Sequence, residues 1–156
     1  MARFTRTTVI DAPLEAVWTF HSTIDGLETL TPSWFGLQVK TIQRPAGATG
    51  PELVSGTHLV LETRPLGWLP GSQWSVKITD RMRQDDRAMF RDEQVTGPFG
   101  RWEHTHWFLE FEAGTVVHDV VDYTLPGPLP DRLLSPALAL LFAERHRRTR
   151  QRLAVT

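Results

Sequence analysis

The chain predicts an α+β fold: a curved, seven-stranded antiparallel sheet wrapped around a long C-terminal helix, with two short helices after the first strand. Three observations carry this. Residues 3–10 (RFTRTTVI) alternate and are rich in β-branched types, and a proline-opened helical segment follows them. Six further strand-like runs then come in succession, separated by Gly, Pro and Asp-rich turns. The chain closes on a stretch with helical spacing, from Asp131 to Leu153.

The elements follow in order. Asp11-Ala12-Pro13 reads as an N-cap and first-turn proline, opening a helix to about Ser22 with Val17, Phe20 and His21 on one face and Trp18 beside it. Ile24 to Leu30 makes a second short helix, stopped by Pro32. Strands are expected over residues 36–44, 56–63, 73–81 and 87–95, with a Pro/Gly-rich loop at 45–51 and a loop with an apolar tip, Trp68-Leu69, at 64–71. In the last helix, Ser135-Pro136 marks the start of the main segment, and Leu134, Ala137, Leu138 and Leu141 form the buried stripe with Phe142 beside it. The run from Arg145 to Arg152 is strongly basic and reads as a solvated helix end, favourable with the macrodipole.

Composition excludes several function classes. A length of 156 residues supports one domain, residues 1–156, with a substantial core. The net charge of −1 removes any global electrostatic reason for a nucleic-acid partner. With no cysteine there is no thiol or disulfide chemistry, which fits a reducing compartment. Asp11, Pro13 and Glu15 interrupt any secretory signal, and the apolar run Leu133–Ala143 is too short to cross a bilayer. The expectation is a cytoplasmic protein with no stable membrane insertion; oligomeric state is not legible.

The segment from Phe90 to Tyr123 holds the candidate chemistry. Residues two apart on a strand share a face, so Trp102, His104, His106 and Phe108 point one way. Taking Ala113-Gly114 as a two-residue hairpin loop places Phe108 opposite Asp119, His106 opposite Val121 and His104 opposite Tyr123. One face then collects these residues with Val117; the opposite face carries Trp107, Leu109, Phe111, Val116 and Val120, so pattern alone does not fix the inside, and the first face is the expected one because its polar members cluster, as around an enclosed ligand. Asp92 and Gln94 share a face with Phe90, and a five-residue turn near residues 97–100 would continue that face to the histidines; a four-residue turn would oppose them.

Ile10-Asp11-Ala12-Pro13 with Val17-Trp18 resembles the "I-x-A-P-x-x-x-V-W" opening of the START-like superfamily, the SRPBCC or polyketide cyclase/dehydrase-like group. Phe90-x-Asp92-x-Gln94, Gly97-Pro98-Phe99, Trp102-x-His104-x-His106-x-Phe108, Asp119, Tyr123-Thr124-Leu125-Pro126 and Phe142-x-x-Arg145-His146-Arg147 are similar to its small, stand-alone bacterial members. The resemblance covers nearly the whole chain and implies the helix-grip fold with a hydrophobic cavity between sheet and C-terminal helix. Its members bind lipids, sterols, quinones, hormones or polyketides, and a minority catalyse cyclisation, dehydration or hydrolysis.

The expected function is binding of a hydrophobic, ring-containing small molecule, as carrier or sensor. Phe90, Gln94, Trp102, Phe108, Asp119, Val121, Tyr123, Trp68, Leu138 and Leu141 are the expected ligand contacts. An alternative is a cyclase or dehydratase in which Asp92, His104 and His106 transfer protons. A third reading is an interaction module presenting the Trp68 loop to a protein or membrane. The spacing of His104 and His106 suits a metal ion, with a third ligand from Asp92, Asp119 or another strand, but the flanking aromatics suit an organic ligand better, and no metal or cofactor is expected. His21, His58 and His118 belong to no motif and are expected to be structural or exposed.

Overall fold

A computed structural model of the chain describes residues 1–112 and 114–153. Strand β1 (Ala2–Ile10) leads into helices α1 (Leu14–His21) and α2 (Ile24–Leu30). Strands β2 (Gln38–Gln43), β3 (His58–Thr63), β4 (Ser72–Arg83), β5 (Arg87–Thr96), β6 (Arg101–Phe111) and β7 (Gly114–Thr124) follow, and helix α3 (Ser135–Leu153) ends the described chain. The strands form one antiparallel sheet in the order β1-β7-β6-β5-β4-β3-β2. No helix among the described residues is long and apolar enough to cross a membrane.

Helix α1 starts two residues later than the capping pattern predicts. Asp11 is exposed, and the N-cap is Pro13, whose carbonyl accepts from Ala16 and Val17 at 3.0 and 3.2 Å. A residue before proline is driven to extended backbone, and Pro13 itself keeps ψ at 147°, so the helix begins after the proline. Helix α2 is capped as such helices usually are: the Thr23 hydroxyl accepts from Gly26 N at 3.1 Å.

Burial shows which sheet face is inside. Trp102, His104, His106, Phe108, Val117, Asp119, Val121 and Tyr123 are all buried, whereas Leu109 and Phe111 on the other face of β6 are exposed. The β4–β5 register shifts between Ser75 and Val76 and between Ile78 and Asp80, irregularities of the kind that bend a strand. The core divides into two apolar clusters. One, around Leu59, Leu61, Trp74, Val76, Trp102, Leu138 and Phe142, lies under α3. The other, around Ile10, Val17, Trp18, Phe90 and Phe108, lies under α1. Along β6, Trp102 belongs to the first and Phe108 to the second, and His104 and His106 stand between them.

The β6–β7 register differs from the sequence expectation by two residues. Phe111 pairs with Gly114, Phe108 with Val117, His106 with Asp119 and His104 with Val121. Ala113 lies outside the described residues, so the expected Ala113-Gly114 loop is not described as such; Gly114, however, is a strand residue. Its reason to be glycine is close approach: a Cβ there would lie 2.5 Å from the Ile10 carbonyl oxygen of the neighbouring strand. Glu112, not Gly114, takes the left-handed backbone, at φ 50°. A two-residue slip preserves every face, so the wall stays intact while its cross-strand partners change.

Candidate functional site

His106 and Asp119 are cross-strand partners, and Asp92 pairs with His104 across β5 and β6. The second pairing has the parity of the five-residue turn, which brings Asp92 onto the histidine face. Asp119 is 2 % exposed and forms the hub. Its Oδ1 lies 2.9 Å from His104 Nε2, which donates to it, and 2.7 Å from His106 Nδ1. The His106 N–H points off that line, so the second contact is a close charge–dipole approach rather than a linear hydrogen bond. Oδ2 accepts a short hydrogen bond from His146 Nε2 of α3. On the far side of the two rings, Asp92 Oδ2 lies 3.5 Å from His104 Nδ1 and 3.9 Å from His106 Nε2.

His146 lies hidden in the basic run. It continues a stripe of buried residues, Leu138, Phe142, His146 and Thr149, at helical spacing, so the inward face of α3 extends through the segment expected to be solvated. That periodicity is the signal by which the sequence could have shown it. Arg145, half-buried, also faces inward and lines the cavity. His21 is buried as well: its ring centroid stands 6.2 Å from that of His106, and Nε2 is 3.2 Å from the Thr149 hydroxyl. The expected stripe is thereby corrected, with Phe142 at its centre and Ala137 exposed on one side while touching the cavity.

The electrostatics follow from burial and from Asp119. Burial opposes ionisation of Asp119, yet the adjacent His106 and the hydrogen bonds from His104 and His146 hold its carboxyl well below the usual range. Burial also opposes charging of His104, but its hydrogen bonds with Asp119 and Asp92 overcome that and raise its pKa. His106, desolvated and beside a charged His104, is pushed down to about 4. His21, desolvated and next to His106, is held well below its ordinary value. Burial lowers the pKa of Arg145 against the opposing pull of Asp119 and Asp92.

These shifts set a pH dependence of stability. Below about pH 6.5 the unfolded chain protonates His21 and His106 while the folded chain resists, so each subtracts stability as pH falls. His104 acts oppositely: its contribution is complete below the unfolded value and is lost as pH rises through the raised folded value. Asp119 contributes throughout and loses its contribution only in much stronger acid. His104's contribution is already near its full value at the start of this range, so the two depressed histidines predict a net loss of about 3 kcal/mol between about pH 6.5 and about pH 5. Urea midpoints of chelator-treated protein across this range check it; a midpoint that holds or rises on acidification would show that the fold does not keep His21 and His106 neutral.

A cavity of about 180 Å³ lies between the sheet and α3. Phe90, Trp102, Leu138 and Leu141 of the expected ligand contacts line it, as do Asp92, His104 and His106. The other expected contacts are elsewhere, each for a local reason. Gln94 is occupied by the β5–β6 turn, donating to Phe99 O at 2.7 Å and accepting from Phe99 N at 3.3 Å. Phe108 packs into the α1 cluster, 5.8 Å from Trp18 between ring centroids. Val121 is fully covered beneath α3, and the Tyr123 hydroxyl is 3.0 Å from Ser135 Oγ, tying the sheet to the start of that helix. Asp119 sits behind the histidines rather than on the cavity surface.

Trp68 is 75 % exposed and does not line the cavity. Its loop turns outward at Leu66 and Gly67, which have φ of 58° and 74°. Trp34 and Phe35, from a segment with no expected element, take its place at the cavity rim, together with Leu37, Trp74 and Phe99. Arg64 N donates to Gly36 O at 3.2 Å and fastens the Trp68 loop to that segment.

Comparisons with known proteins agree on the fold. The chain aligns over 99 % of its length with 98 % of a structural-genomics protein from Chromobacterium violaceum, at 13 % identity and a TM-score of 0.71. It aligns over 97 % of its length with 96 % of a START superfamily protein from Mycobacterium smegmatis, at 13 % identity and a TM-score of 0.70. A protein from Thermus thermophilus is 20 % identical, with 97 % of each chain covered and a TM-score of 0.62. No curated protein sequence matches the chain. The sheet, the paired short helices and the long closing helix are those of the helix-grip fold. Residues 10–150 match the polyketide cyclase/dehydrase and lipid transport family, and the chain belongs to that family.

Proposed function

We propose that the protein binds an apolar, ring-containing small molecule in the cavity between the sheet and α3, as a carrier or sensor. The observation that carries this reading is the division of the cavity: aromatic and aliphatic walls, with Asp92, His104, His106 and Arg145 gathered at one end. The volume is similar to that of a dry cavity of about 150 Å³ that admits a benzene-sized ring. Trp34, Phe35, Trp74, Phe99 and Trp102 offer ring faces, and the polar end would select an oxygen substituent.

The test is binding of 8-anilinonaphthalene-1-sulfonate, an aromatic anion, alongside native mass spectrometry of the purified chain. Saturable fluorescence enhancement is expected, and Leu138→Trp, which fills the cavity, should abolish it while near-UV circular dichroism shows retained packing. Equal enhancement in the two folded proteins would place the dye outside the cavity and sink the reading.

His104, held between two carboxylates, favours proton-transfer catalysis at the same site as a second reading. Its sign would be chemical alteration of a co-purified ligand, lost in His104→Ala. Recovery of that ligand unchanged after incubation would decide for binding alone.

A further inference from the structure

We propose that Asp92, His104 and His106 form a site for a first-row divalent transition-metal ion on the polar floor of the cavity. Each offers one ligand atom, and the three atoms lie within 4.8 Å of one another. Asp92 Oδ2 is 3.5 Å from His104 Nδ1 and 3.9 Å from His106 Nε2. A tetrahedral ion with bonds of about 2.1 Å separates its donors by about 3.4 Å, so closing on the ion takes only small side-chain movements.

The opposite ring nitrogens supply the orientation. A single buried carboxylate, Asp119, accepts from His104 Nε2 at 2.9 Å and stands 2.7 Å from His106 Nδ1, so both rings are oriented with these nitrogens toward Asp119 and their opposite nitrogens toward Asp92. The lone pairs of His104 Nδ1 and His106 Nε2 are then turned toward the Asp92 carboxylate. Three acceptors face one gap, and they need a positive centre in common: a proton or a metal ion. Two imidazoles and a carboxylate form a donor set suited to Zn²⁺, Fe²⁺ or Co²⁺, with Asp119 behind the rings as the outer carboxylate such sites use.

Charge and access agree with this. Among the described residues Arg145 is the one arginine or lysine that lines the cavity, and Asp92 on its wall and Asp119 behind the histidines both carry negative charge toward the cluster. The Asp92 side chain is 16 % exposed, so the gap is reached from the cavity, and positions left open on the ion would face an entering ligand. The sequence alone offers the His-x-His pair; the register of β5 on β6 supplies the third donor.

The experiment loads the full-length, chelator-stripped chain with Co²⁺ and, separately, Zn²⁺, without any organic ligand. After gel filtration the metal content is measured and the visible spectrum of the Co²⁺ form recorded. The expected result is about one ion per chain, with the intense absorption of four- or five-coordinate Co²⁺. Asp92→Asn should weaken binding more than about tenfold, and the double variant His58→Ala/His118→Ala should leave it unchanged. Should Asp92→Asn fail to fold, paramagnetic shifts in the native Co²⁺ protein decide: shifted ring signals from His104 and His106 support the site, and unshifted ones overturn it. Substoichiometric metal, a six-coordinate aquo-like spectrum, or equal affinity in folded Asp92→Asn would mean that a proton alone fills the gap. Dye binding in the apolar cavity requires no metal, so failure of either result leaves the other standing.

Discussion

Asp119→Ala is expected to destabilise the protein by about 3–5 kcal/mol, because it strips the partner from buried histidines that cannot reach water. The carboxylate is 2 % exposed and stands against His104, His106 and His146. With it gone, the N–H groups of His104 and His146 lose their acceptor, and His104 keeps only the more distant Asp92 at 3.5 Å. Asp119→Asn separates charge from volume. It fits the same space, but its NH2 group faces one of the two ring N–H donors while its carbonyl accepts from the other, so one hydrogen bond and the charge are lost and a large part of the destabilisation should persist. Urea midpoints at neutral pH measure both variants. If Asp119→Asn is as stable as the native chain, shape rather than charge holds the cluster, and the hub role of Asp119 is wrong.

Phe142→Ala is expected to cost about 3–5 kcal/mol, by lost burial plus the void left behind. The ring is 2 % exposed, lies 5.4 Å from the Phe4 ring and meets the His104 ring edge-on at 5.0 Å. It therefore closes α3 onto β1 and walls off the histidine cluster in one contact set. Its removal would extend the cavity toward β1, so anilinonaphthalenesulfonate binding should survive in the variant although stability falls. Leu140→Ala on the same helix is the comparison: Leu140 is 61 % exposed, and its truncation should change stability by less than about 0.5 kcal/mol. Similar losses for the two variants would mean that α3 is held by helix propensity and not by its inward face.

The buried face of α3 also shows where sequence reasoning stops. Leu138 and Phe142 are apolar and declare themselves, but His146 and Thr149 continue the same face in polar form, within a run of arginines. Helical period places them inward; residue type argues outward, and only Asp119, 27 residues away along the chain, makes a buried His146 tolerable. His21 has the same character, covered from one side by Phe108 and from the other by Thr149. The aromatic rim is misread for a related reason: Trp68 and Trp34 both sit among turn formers, and nothing local tells which turn folds inward.

Local rules suffice for the order of elements, the seven strands and the start of α3. Period-two alternation, proline and glycine positions, and helical spacing are each readable within a short window of the chain. Which residues meet is a matter of long-range packing. Parity at the β5–β6 turn puts Asp92 beside His104, and the close approach of Gly114 to Ile10 accompanies the register that puts His106 opposite Asp119. A slip of two residues leaves every local signal unchanged while replacing every cross-strand partner, so the chemistry of this site is written in register and not in pattern.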